Sequence, residues 1–229
     1  MRACQFKIES PDIMTTPVET VEILWNGPED GDLIVLAHGA GAPMDSASLN
    51  TLAQGLAAAG LRVARFEFPY MQARRASGTR KPPDREPVLL DTWRAVVRQL
   101  GGGERLVIGG KSMGGRMASR IADEVGARAL VCLGYPFHPP GDPKKTRTAH
   151  LENLRTPTLI VQGTRDTFGT REEVAEYRLS PAIRITWLED GDHSFKPRAS
   201  SGRTEAQALR EAVDEVASFV RSVAGRSNG

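Results

Sequence analysis

Gly110-Lys-Ser-Met-Gly114 decides the reading of this chain. It lies between a strand expected over Arg105 to Gly109 and a helix expected over Met113 to Val125. A serine in that strand-turn-helix setting sits on a strained turn with its hydroxyl exposed, which is what a nucleophilic serine requires. Gly110, Gly114 and Gly115 remove side chains where strand, helix and serine crowd together. The helix start brings backbone N–H groups and a positive dipole end to the place where an oxyanion would form. The plain alternative is a glycine-rich turn carrying an incidental serine.

Outward from this turn the same alternation repeats. Val18 to Leu24 alternates apolar with acidic residues and reads as a half-exposed strand closed by Asn26-Gly27-Pro28. Leu33 to Ala37 is continuously apolar, the mark of a strand covered on both faces. A helix capped by Asp45 or Ser46 follows to about Ala59, with Gly60 as its stop. Then come a strand over Leu61 to Phe68, a helix over Pro87 to Leu100, the central turn, and a strand over Ala127 to Leu133. The pattern closes with strands Thr158 to Gln162 and Ala182 to Leu188, a helix Arg171 to Tyr177 between them, and a long amphipathic helix from about Thr204 to Val223. The expected fold is α/β, a mainly parallel central sheet with helices on both faces. Met71 to Glu86 and Gly134 to His150 break the alternation and read as long loops at the sheet edge where parallel sheets place their sites. The tail Ala224 to Gly229 is expected to fray.

A serine hydroxyl needs a base, and the chain holds four histidines. His193, on the loop Glu189-Asp-Gly-Asp-His-Ser-Phe195 after a strand, is the candidate. His38 is expected to shape a turn, and His138 and His150 to serve local hydrogen bonding. The acid that orients the imidazole is assigned to Asp166, in Gly163-Thr-Arg-Asp-Thr167 after the strand Thr158 to Gln162. Chain order is then serine, acid, histidine. Asp190 and Asp192 are rivals, too close to His193 in sequence to reach its far side easily. His38-Gly-Ala-Gly-Ala42 offers the backbone N–H of Ala40 as an oxyanion donor, paired with the N–H of Met113. Phe68, Tyr70, Met71, Tyr135 and Phe137 follow strand ends and are candidates for a substrate pocket, with core packing as the alternative. Lys111 reads as an ion pair over the turn or as a contact to an anionic substrate. Arg74, Arg75, Arg80, Lys81 and Arg85 read as a solvated loop or as an anion-attracting one.

The remaining composition narrows the class. With 229 residues, 40% hydrophobic and 25% charged, the chain is an ordinary globular protein, read as one domain over 1–229 with its core at about 18–223. A net charge of +2 without a basic helix gives no nucleic-acid partner. No run approaches a membrane span, and Lys7 and Glu9 interrupt the first ten residues where a signal peptide would be apolar. The only cysteines are Cys4 and Cys132, the second expected as a buried small hydrophobe, which fits a cytoplasmic protein. No histidine or cysteine spacing suggests a metal site, and no cofactor is expected.

Leu36-Ala-His-Gly-Ala-Gly-Ala42, Gly109-Gly-Lys-Ser-Met-Gly-Gly-Arg-Met-Ala118, Gly163-Thr-Arg-Asp166 and Gly191-Asp-His-Ser-Phe195 together resemble the α/β-hydrolase superfamily. The resemblance is to a branch of bacterial predicted hydrolases and animal testis-expressed relatives, which includes a subunit of the non-specific lethal chromatin complex. It spans about residues 20 to 222, and the Gly-Lys-Ser-Met-Gly-Gly-Arg block is its most specific part. Dienelactone hydrolases are more distantly similar, with cysteine where Ser112 stands. The resemblance implies a hydrolase fold without naming a substrate. The expectation is a serine hydrolase without a large cap domain, acting on a small-molecule ester-like substrate: a carboxylester, thioester or lactone. The alternative is a non-catalytic interaction module that keeps the fold.

Overall fold

The computed structural model describes residues 20–225. Its centre is a seven-stranded sheet built from β1 (Leu24–Asn26), β2 (Leu33–Ala37), β3 (Arg62–Phe66), β4 (Val107–Lys111), β5 (Ala129–Leu133), β6 (Thr158–Gly163) and β7 (Ile183–Leu188). The spatial order is β1-β3-β2-β4-β5-β6-β7, parallel throughout except for β1, which pairs antiparallel with β3. Parallel neighbours need a crossover, and six helices supply or flank these crossings: α1 (Ala47–Ala58), α2 (Pro69–Ser77), α3 (Glu86–Gln99), α4 (Met113–Ile121), α5 (Arg171–Ala175) and α6 (Glu205–Ala224).

The two-residue period of β2 shows how both faces are filled. Ile34 and Leu36 point into the core shared with α1 and α6, whereas Val35 and Ala37 point into the core shared with α3 and α4. All four are fully buried. The longest helix, α6, buries Ala208, Leu209, Ala212, Val213, Val216, Ala217 and Val220 along one stripe. A capping box starts it: Thr204 Oγ1 accepts from Gln207 N, and the Gln207 side chain accepts from Thr204 N. Such a cap contributes about 1 kcal/mol.

The central strand, the first strand and the first charged stretch are placed differently from expectation: β4 is Val107–Lys111 rather than Arg105 to Gly109, because Gly103–Arg105 forms a short 3₁₀ turn. The first strand is Leu24–Asn26 rather than Val18 to Leu24; Val18 and Glu19 lie outside the described residues, as do Cys4, the first ten residues and the last four of the tail. Residues 20–23 form no strand, and Val21 has its N–H and carbonyl taken up by the side-chain amide of Gln99 at 2.9 Å each. The charged stretch from Met71 to Glu86 is not all loop, since α2 occupies its first half. Pro69 starts that helix at a position where its missing N–H costs nothing, and Gly78, at φ 66°, ends it. Gly134 to His150 does run as irregular chain down to a single short turn at Ala149–Leu151. Its fold is fixed by Arg147 N to Phe137 O at 2.7 Å and by Tyr135 Oη to Arg147 O at 2.9 Å. Among the described residues no domain is inserted above the strand ends, and no helix is long and apolar enough to cross a membrane.

Helix α4 lies almost directly on the sheet backbone. A methyl group built on Gly114 would meet Ala37 O at 2.5 Å, and one on Gly115 would meet Gly110 O at 2.7 Å. Cys132, beneath this contact, is buried, and burial pushes its thiol well up, so it serves as packing volume and not as a thiolate. Gly114→Ala is therefore expected to destabilise the fold by roughly 1–3 kcal/mol, the cost of overpacking against atoms that cannot retreat. Urea unfolding monitored by tryptophan fluorescence measures it, and an unchanged midpoint would show that α4 has room to shift.

Candidate functional site

The chain must leave β4 and enter α4 within a single residue. Ser112 N donates to Leu133 O at 3.0 Å, the last bond of the strand ladder, while Ser112 O accepts from Arg116 N at 3.0 Å, the first bond of the helix. That double duty forces Ser112 to φ 49° and ψ −114°, a conformation an L-residue adopts only under constraint. The side chain consequently stands clear of both elements at the C-terminal edge of the sheet.

The loops after β6 and β7 bring two more groups to the same edge. His193 Nε2 lies 2.8 Å from Ser112 Oγ, and His193 Nδ1 lies 2.8 Å from Asp166 Oδ2. The only tautomer that suits both contacts carries its proton on Nδ1, so that Nε2 accepts from the serine hydroxyl. Asp166 is wholly buried. Its second oxygen accepts from Phe168 N at 2.9 Å, and its first also accepts from Gln162 Nε2 at 2.9 Å. Gln162 is the residue that sequence reading missed; a polar side chain closing the otherwise apolar strand Thr158 to Gln162 was its signal. Phe168, also missed, stacks on the His193 ring with centroids 4.2 Å apart.

Asp190 and Asp192 are not aimed at the imidazole. Asp192 Oδ1 accepts from Ser194 N and Lys196 N, at 2.8 and 3.0 Å, and so folds the loop that presents His193. Asp190 is bound by Arg198 through its N–H and Nε, both at 2.7 Å, and flanked by Arg165. The other histidines act locally, as their positions suggested. His38 Nε2 accepts from Phe68 N at 3.1 Å and its Nδ1 faces Gly39 O at 2.7 Å, while burial keeps it neutral by lowering its pKa. His138 bridges Pro139 O and Glu173, and His150 bonds Ser119 Oγ at 2.8 Å. Burial, together with Arg120 and Arg116, brings His150 down to about 4.

Beside Ser112 a cavity of about 340 Å³ is bounded by the turn Gly39 to Ala42, by Ser46, Ser48, Leu49 and Leu52 of the α1 end, and by Lys111, Phe168 and Ser194. The N–H groups of Ala40 and Met113 make no hydrogen bond among the described residues. The five residues expected to form a pocket do not reach this space. Phe68, Tyr70, Met71, Tyr135 and Phe137 are at most 3% exposed and belong to the core on the α3 and α4 face. Hydrophobic burial wins because their rings find one another: Phe66 packs edge-on to Phe68 at 5.4 Å and Tyr135 to Phe137 at 4.8 Å. Tyr70 supports the site from behind, donating from Oη to Ala40 O at 3.1 Å.

Lys111 forms no ion pair among the described residues, contrary to one of its expected roles. Its ammonium donates to the carbonyl of His193 and lies 5.2 Å above the Phe195 ring. Burial brings it down to about 8, with Asp166 and Asp192 pulling the other way. Below about pH 8 the ammonium is charged in folded and unfolded chains alike, and its desolvation cost is fully present. Between about 8 and the ordinary value of 10.5 the folded chain sheds the proton first, so stability rises with pH through that window. In urea titrations, wild type should gain up to about 3 kcal/mol on Lys111→Met between pH 7 and 10.5. A constant difference between the two proteins would mean that the ammonium is hydrated.

Comparison with known proteins agrees with the fold. A family described as "Alpha/beta hydrolase domain" matches residues 30–221. Among solved structures, an α/β serine hydrolase without a lid from Xanthomonas campestris aligns with a TM-score of 0.64 at 20% identity, over 90% of each chain. A serine hydrolase homologue from Coxiella burnetii aligns with a TM-score of 0.62 at 20% identity, over 91% of this chain and 98% of that one. A monoacylglycerol lipase from Paleococcus ferrophilus aligns with a TM-score of 0.63 at 17% identity, over 87% and 99%. At these identities the structural matches carry the fold alone, while the family match covers most of the chain: it belongs to the α/β-hydrolase domain family.

Proposed function

We propose that the protein is a serine hydrolase that cleaves a small ester-like acyl bond, carboxylester, thioester or lactone, through an acyl-enzyme. The observation that carries this reading is the unbroken hydrogen-bonded chain from Ser112 Oγ through His193 to Asp166, 2.8 Å at each step. A binding module has no use for a serine hydroxyl, an imidazole and a buried carboxylate joined in series, so the chain favours catalysis over the interaction-module alternative.

In this mechanism Ser112 Oγ attacks the acyl carbonyl as its proton passes to His193 Nε2. Asp166 holds the ring by Nδ1 and stabilises the imidazolium without taking the proton. The carbonyl oxygen, now an anion, is met by the N–H groups of Ala40 and Met113, which have no other acceptor to give up. His193 returns the proton to the leaving oxygen or sulfur, then activates a water that releases the acyl group from Ser112. Gln162 is a positioning residue here, because its amide fixes the Asp166 oxygen that faces the imidazole.

Ser112→Ala should abolish fluorophosphonate labelling and turnover of p-nitrophenyl acetate with no loss of folding, as judged by circular dichroism. Labelling that survives in this variant would remove Ser112 from the mechanism. Asp166→Asn should lower kcat by about 10⁴, since an amide favours the wrong imidazole tautomer. A loss of similar size in Asp192→Asn, with Asp166→Asn active, would reassign the acid.

The cavity also limits the acyl group. Leu49, Leu52 and Phe168 offer apolar surface to a short chain, and among the described residues no inserted domain covers a longer one. Each methylene that leaves water gains about 0.8 kcal/mol, or about fourfold in kcat/KM, and a methylene that stays hydrated gains nothing. A series of p-nitrophenyl esters from two to twelve carbons should therefore climb and then level off at a short chain. A steady rise to twelve carbons would require a deeper site.

A further inference from the structure

A second groove, about 450 Å³ in volume, lies against the oxyanion turn and carries only positive charge. Its walls are Arg74, Arg80, Lys81, Pro82 and Pro83 together with Ala40 and Gly41. Ala40 and Gly41 also bound the cavity beside Ser112, so the two spaces share one wall. Resting on the hydrolase reading, we propose that this groove binds a carboxylate or phosphate carried by the substrate, and that the enzyme prefers acyl esters bearing such an anionic group.

The charges here are unusual in having no acid beside them. Arg75, one residue from Arg74, is neutralised by Glu67 and Asp45. Arg74 instead directs its N–H groups to backbone oxygens, Lys81 O at 2.6 Å from Nε and Ala40 O at 3.5 Å from Nη1. Those contacts satisfy geometry and leave the positive charge unbalanced. Among the described residues Arg74, Arg80 and Lys81 enter no ion pair. The nearest acid in sequence, Asp84, accepts from Tyr70 N at 2.9 Å and forms no ion pair with these cations among the described residues. Basic residues in the last turn of α2 suit the negative end of its dipole, which accounts for Arg74. It does not account for Arg80 and Lys81, which lie beyond the helix stop at Gly78.

The groove is also held in shape. Arg74 ties the loop at Lys81 to the turn at Ala40, and Pro82 and Pro83 restrict the backbone that follows. A cation and a loop backbone already held in place lower the ordering cost of binding an anion. Because the groove adjoins the turn that receives the oxyanion, an anion bound there holds the acyl carbonyl close to Ser112 and draws charged substrate toward the site from solution.

The test compares 4-acetoxybenzoate with the neutral 4-acetoxybenzamide, each kcat/KM divided by the ester's own rate with hydroxide. Wild type should favour the benzoate by about tenfold or more at low ionic strength, the scale of one charge-assisted hydrogen bond. The preference should shrink in about 0.5 M salt and fall toward one in the double variant R80Q/K81Q, whose two side chains are exposed. A ratio near one in wild type, or a preference that survives undiminished in R80Q/K81Q, overturns the proposal. If wild type hydrolyses neither ester, the hydrolase reading fails separately. Calorimetric titration with 4-hydroxybenzoate and 4-hydroxybenzamide then decides the groove: benzoate binding that is lost in R80Q/K81Q supports it, and equal or absent binding of the two refutes it.

Discussion

Ser112 is held at φ 49° by a chain that must end a strand ladder and begin a helix at the same residue. Left-handed backbone of this kind costs about 1–3 kcal/mol and persists only where neighbours impose it. The neighbours here are backbone atoms: Ala37 O against Gly114 and Gly110 O against Gly115. Side chains at those glycines would push α4 away from β2 and β4, and the turn could then relax. Helix position, strand spacing and serine orientation are thus one packing solution. The same solution aims the start of α4 at the space in front of the hydroxyl, where the Met113 N–H is free to meet an anion.

A buried carboxylate is the second constraint. Asp166 has no access to water, so its charge must be met by donors from the protein. Gln162, Phe168 N and His193 supply them from one strand, one turn and one distant loop. The imidazole is therefore fixed at the end of a hydrogen-bond network rather than resting on a flexible segment. Asp192 folds the His193 loop internally, Asp190 anchors it to Arg198 and Arg165, and Lys111 holds its carbonyl. The acids nearest His193 in sequence thus shape its loop, while the acid that reaches its ring comes from another strand.

The candidate site is a small cavity at the sheet edge. No inserted domain covers the strand ends among the described residues, and the walls are a glycine-alanine turn, the start of α1 and one phenylalanine. Such a site has little apolar area with which to hold a substrate, and binding energy must come from elsewhere. The cationic groove across the Ala40 and Gly41 turn is the adjoining feature able to supply it. Under the proposed function, a small cavity and a charged neighbour fit a water-soluble substrate better than a lipid.

Alternating apolar runs and helical stripes were legible along the chain because burial on both faces of a parallel sheet leaves a local record: Leu33–Ala37 and Ala129–Leu133 are apolar at every position. Ser112 was legible for the same reason, since a strand-to-helix turn with close backbone contacts demands glycines within a few residues of it. His193 and Asp166 followed from their positions after strands and from chain order, and Asp190 was set aside only for its closeness to His193 in sequence; the contact that fixes the choice is the approach of Asp166 from the loop after β6. Helix α2 was hidden by its charges, because Arg74 and Arg75 find their partners outside the helix, at Lys81 O, Glu67 and Asp45. For Phe68, Tyr70, Met71, Tyr135 and Phe137 the sequence left pocket and core packing both open, and all five are buried, as burial depends on what else packs there and not on where a residue falls along its strand. Periodicity and turn chemistry are properties of neighbouring residues and survive in the sequence. Which carboxylate meets the imidazole, which ring faces the cavity and which cations lack an acid depend on contacts between distant segments, and those exist only after the sheet has closed them together.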